Sequence, residues 1–126
     1  MKKTIVLSLV VLISFATLHS CKKASTDTVT TQTINATVAM NQSVLVTLGT
    51  TSAKQSVSIS SQAAHATTSS VQKNVSAGTV LYAYTPATSY FGTDQVTIKA
   101  VSDTTHSCQA GSKVTTLYTV NLTVTK

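Results

Sequence analysis

The chain has 126 residues and a formal net charge of +6, built from nine lysines and three aspartates with no arginine or glutamate. Charge this sparse and scattered forms no basic patch, which argues against nucleic-acid binding. The abundance of Thr and Ser, together with 42% hydrophobic residues, favours strands with hydroxylated outer faces over amphipathic helices. In chain order, Lys2 and Lys3 make a basic start, and Ile5 to Leu18 is almost wholly apolar, broken only by Ser8, Ser14 and Thr17. As a helix this run is roughly 21 Å long against a hydrocarbon core of about 30 Å, too short to span but suited to the centre of a secretory signal.

Leu18-His19-Ser20-Cys21 follows, and it resembles the lipobox of bacterial lipoproteins: an aliphatic residue, a variable one, a small one, then cysteine. The resemblance implies cleavage after Ser20, a diacylglycerol on the Cys21 sulfur and an acyl chain on its new amine. Together these would hold the chain to a membrane, since each buried methylene contributes about 0.8 kcal/mol and two or more chains anchor durably. The "SCKK" junction is similar to those of Bacteroidota lipoproteins. Residues 1–20 are therefore expected to be a signal peptide, and 21–33, with "KKASTDTVTTQT", a lipidated tether.

From residue 34 onward apolar residues alternate with polar ones. Ile34, Ala36 and Val38 share one strand face; so do Val44, Val46 and Leu48, then Val57 and Ile59, and Val80, Tyr82 and Tyr84. Val96, Ile98 and Ala100 follow, and Tyr118, Val120, Leu122 and Val124 close the chain. A period of two with polar partners marks antiparallel strands with one buried face. The expected fold is all-β, an antiparallel β-sandwich of about seven strands over 34–126. Residues 60–78 read either as one edge strand around Val71 or as a connection.

The stretch "GTVLYAYTPATSYFGTDQVTIKAVSD", residues 78–103, resembles the second half of bacterial Ig-like or cadherin-like repeats. Gly78-Thr79-Val80, Tyr84-Thr85-Pro86 and Phe91-Gly92-Thr93-Asp94 stand at the matching places, and "TVNLTVTK" is similar to the last strand of such repeats. The resemblance implies an Ig-like sandwich. The residues support the same corner independently: Pro86 removes a ladder donor, Gly92 supplies positive φ, and Asp94 accepts from backbone amides of its turn. Where many such repeats carry an Asn-Asp-rich turn, this chain has "GTTSAKQ", which does not suit calcium.

Catalysis needs an acid, base or nucleophile held near a partner. Beyond the signal the chain offers His65, His106, Cys108 and the dispersed Asp27, Asp94 and Asp103, with no Gly-x-Ser-x-Gly elbow and no paired acids, so no enzyme and no cofactor is expected. His106 and Cys108 lie in a loop, 102–113, that reads as a contact loop. Two ligands are too few for a closed zinc site. With Cys21 acylated, Cys108 is either an incidental thiol or a residue for intermolecular bonding. Tyr82, Tyr90 and Tyr118 are the residues from which a sugar platform would be built. Four Asn-x-Ser/Thr triplets arise readily in a Thr/Ser-rich chain, whereas Asp27-Thr28-Val29 and Asp103-Thr104-Thr105 resemble the O-glycosylation acceptor of Bacteroidota and mark Thr28 and Thr104.

The sequence thus points to a lipoprotein anchored at Cys21, most consistent with the outer membrane, at its periplasmic face or the cell surface. Its expected role is a non-enzymatic interaction module for adhesion, assembly or accessory work, with a protein or glycan partner. The alternative is a small carbohydrate-binding lipoprotein of a nutrient-uptake complex. Exposed, coplanar tyrosines would favour the alternative; an open strand edge would favour protein contact.

Overall fold

The structure, a computed structural model, describes residues 27–51, 54–104 and 111–126, the side chain of Thr104 excepted. Seven strands are present: β1 Thr28–Ala39, β2 Val44–Thr50, β3 Gln55–Ser61, β4 Ala66–Asn74, β5 Thr79–Pro86, β6 Gly92–Thr104 and β7 Ser112–Thr125. They form two sheets, one in the order β1-β7-β6-β3 and the other β2-β5-β4. Lettered A to G, these are C-F-G and B-E-D, the strand order of an immunoglobulin-like sandwich, with the first strand placed beside the last.

The period-two pattern maps directly onto burial. In β5 Val80, Tyr82, Tyr84 and Pro86 point inward, and in β7 so do Tyr118, Val120, Leu122 and Val124. They meet Val96, Ile98 and Ala100 of β6, Val46 and Leu48 of β2 and Val38 of β1 in one core shared by both sheets. β-branched and aromatic side chains on a pleat fill such an inter-sheet layer, which is why the Thr-rich outer faces can stay in water. Pro86 ends β5, as its missing N–H requires, and is itself fully buried.

Two expectations are corrected and one open question is decided. Thr28–Thr33, expected in the tether, are the first half of β1: Thr28 pairs with Val114 and the register runs unbroken to Ala39 beside Thr125. That ladder is parallel, whereas every other strand pair among the described residues is antiparallel. The alternation of apolar residues carries no information about strand direction, and the long connection back to β7 permits the parallel pairing. Residues 66–74 form a regular edge strand, β4, which decides the question left open around Val71.

Candidate interaction site

The corner that opens β6 is built around Asp94, the one buried acid among the described residues. Its Oδ1 accepts from the amides of Ala64 (2.9 Å) and Gln95 (2.9 Å), its Oδ2 from the amide of His65 (2.8 Å) and the Tyr84 hydroxyl (3.2 Å). Burial alone pushes this carboxyl up, but the amides of His65, Ala64 and Gln95 and the Tyr84 hydroxyl together outweigh it and hold it below the usual carboxylate range. Burial and then the Asp94 charge push the Tyr84 phenol up, and burial does the same for Tyr82 against the opposing bond from Ser69. Each oxygen of Asp94 takes two donors, so its lone-pair sites are filled by the fold itself. Asp94 is therefore a latch between the β3–β4 loop and β6, reaching well beyond its own turn.

His65 completes the corner. Its ring stacks on Tyr90 at 4.2 Å between centroids and 3° between planes, with Nδ1 4.0 Å from Asp94 Oδ1. Tyr90 Oη donates to the Thr93 carbonyl at 2.6 Å, passing Gly92, whose φ of +136° and lack of a Cβ let the ring lie there; a Cβ would meet Tyr90 Oη at 3.2 Å. Beside the corner runs an open groove of about 590 Å³ lined by Gln62, His65, Thr93, Gln95 and Asn121 among others. Gln95 Nε2 donates to Asn121 Oδ1 (2.8 Å) and Asn121 Nδ2 to Asn35 Oδ1 (2.9 Å), a row of amides crossing β6, β7 and β1 on the outer face.

Ser20, Cys21, His106 and Cys108 lie outside the described residues. Thr28 is exposed at the start of β1, and Thr104 ends β6 paired with Ser112. His65 sits at the Asp94 end of β6, with its amide on Asp94 Oδ2. Among the described residues no three of His, Cys, Asp and Glu come together as metal ligands would. The tyrosine platform is overturned: Tyr82 and Tyr118 are core residues, and Tyr90 is half-buried with one face against His65. Of the pair Tyr90–Phe91, Tyr90 packs on the sandwich, while Phe91 is 55% exposed under the Lys126 ammonium.

The feature that sequence reasoning missed lies in the strand edges. Four strands end the two sheets, β1 and β3 in one and β2 and β4 in the other. β2, β3 and β4 each carry a bulge, the extra residue being Leu48, Ser60 and Thr67 in turn. Thr67 Oγ1 donates to the Pro86 carbonyl and Ser60 Oγ to the Thr97 carbonyl, and Lys73 of β4 donates to the Gln55 carbonyl. Bulges and lysines are the usual devices that stop a sheet edge from recruiting another strand. β1 has neither device: its residues, "TVTTQTINATVA", include no charge and no proline, and their register is unbroken. Val29 on it is 64% exposed. Among the described residues no strand pairs with its outer edge.

No family model matches the chain, and no curated protein matches it.

Proposed function

We propose that this chain is a membrane-anchored extracytoplasmic lipoprotein whose Ig-like domain is a non-enzymatic interaction module, engaging a protein partner through the β1 edge in adhesion, assembly or accessory work. The observation that carries the reading is the contrast between edges: three are bulged, and the twelve-residue β1 is not. An unpaired row of N–H and C=O groups is a template for strand addition, in which main-chain hydrogen bonds supply affinity. The basic start, apolar run and Leu18-His19-Ser20-Cys21 support the anchor, and the unpaired edge begins only seven residues after Cys21. The saturation of Asp94 supports a structural role for the chain's one buried acid. The carbohydrate-binding alternative loses its strongest element with the burial of Tyr82 and Tyr118.

Globomycin treatment of the native host, with protease shaving of intact cells, tests the reading. Accumulation of the uncleaved precursor supports anchoring at Cys21, and loss of the domain on shaving assigns it to the cell surface. Protection from shaving assigns it to the periplasmic face. Absence of any precursor sinks the lipoprotein reading and makes Cys21 available again as a partner for Cys108.

A further inference from the structure

The geometry points to the occupant of the β1 edge as a second copy of this chain: we infer that two β1 strands pair antiparallel across a two-fold axis, joining two four-stranded sheets into one of eight. This rests on the reading of that edge as an interaction surface and goes further by naming what fills it.

Charge is the first argument. A strand edge that meets its own copy sets its charges against themselves, and like charges directly opposite are destabilising. β1 carries none along its twelve residues. The charged residue that precedes it, Asp27, is engaged on the β7 side, its Oδ1 accepting from the Lys113 amide at 3.0 Å. A foreign strand chosen by charge would find nothing here to read, whereas a second copy finds nothing to repel it.

Side-chain chemistry is the second. On the outer face β1 presents Val29, Thr31, Thr33, Asn35 and Thr37, all exposed. In a two-fold register centred on Thr33, Thr33 faces its own copy, Thr31 faces Asn35, and Val29 faces Thr37. These are the hydroxyl and β-branched pairs that stabilise antiparallel neighbours. Asn35 is held from behind, its Oδ1 accepting from Asn121 Nδ2 at 2.9 Å. Regular register on both copies leaves the ladder continuous across the axis, which a bulged edge would interrupt.

Reach is the third. With the anchor at Cys21, seven residues reach Thr28, at most about 25 Å of extended chain. Copies in one membrane then hold their β1 edges at the same height, and confinement to a surface raises their effective concentration.

The test is photocrosslinking in intact cells that express two differently tagged copies of the full-length chain. A benzophenone amino acid is placed singly at Thr31, Thr33 or Asn35, with Thr47 on β2 and Ser58 on β3 as the bulged-edge controls. The expected product joins both tags through peptides from residues 28–39, at least about tenfold above the controls, since the bulged edges resist strand addition. Thr33→Lys in both copies, with the crosslinker at Thr31, lowers that product about tenfold through like charges face to face; Thr33→Lys in one copy with Thr33→Asp in the other restores it. An adduct at β1 with a different protein overturns the second copy while leaving the edge reading intact. No adduct at any β1 position overturns both.

Discussion

Asp94 illustrates how much of this fold hangs on single side chains. Its four donors come from three segments, so replacing one oxygen by an amide NH₂ in Asp94→Asn sets a donor against donors. We expect a loss of about 2–3 kcal/mol, read as a fall in thermal midpoint, because a buried group left unsatisfied costs the full desolvation penalty. The pH dependence follows from the direction of the shift. A carboxyl held below its unfolded value contributes stability that is present above about pH 4 and is lost as pH falls through the native value. Asp94→Asn should therefore flatten the acid limb of the stability curve; an unchanged limb would assign it to other groups. Tyr82 and Tyr84 act at the other end, since their phenols are raised in the native state. Their contribution is complete below pH 10 and is lost above it, as the unfolded chain gains by ionising. Denaturant unfolding at rising pH should show that loss begin near pH 10 and shrink when Tyr82 and Tyr84 are both replaced by Phe; a loss of the same size in that variant would contradict it.

Element by element, the sequence disclosed what alternation can encode and withheld the rest. β6 and β7 were legible because each sets three or four apolar residues against mostly polar ones, and β5 because Val80, Tyr82 and Tyr84 recur at every second position; all three bury that face. The first half of β1 was not, since Thr28–Thr33 are exposed on both faces and lack the contrast that marks a strand. β4, with Val71 as its one large apolar residue, gave a similarly weak signal. The Asp94 latch was half legible: the turn predicted an amide acceptor and the Gln95 bond fits it, but Ala64 and His65 lie some thirty residues away. Bulges were invisible, as an extra residue shows only against a partner's register. They are nonetheless testable. Deleting Ser60 leaves Ile59 opposite Ile98 and Ser61 opposite Thr97, so it removes the bulge and turns β3 into a regular, unprotected edge. We expect that variant to aggregate, whereas Ser60→Ala, which keeps the backbone count, should stay within about 0.5 kcal/mol of the parent.

Across the whole molecule the design is asymmetric: one sheet has strands of twelve to fourteen residues at β1, β6 and β7, the other none longer than nine. The core beneath is shared, so a cavity made anywhere in it weakens both sheets. Leu122, 1% exposed, sits within it. Leu122→Ala should cost about 2–5 kcal/mol in chemical denaturation, with the two sheets lost in one transition. Two separable transitions would mean that the sheets are not one cooperative unit.

The parallel run of β1 beside β7 also decides how the domain carries load. Because the strands point the same way, the Thr28 end of β1 and the Thr125 end of β7 lie at opposite ends of the ladder. A chain held at Thr28 and pulled at Thr125 drives the two strands past one another along their axes. All the bonds of a twelve-residue register then resist together, in shear. Pulling on Gly92 and Thr125 instead would open β6 from β7 at one end and break their bonds in sequence, as in a zipper. Single-molecule stretching along these two axes should give the higher rupture force for the first, and equal forces would mean that the β1–β7 ladder is not what bears the tension.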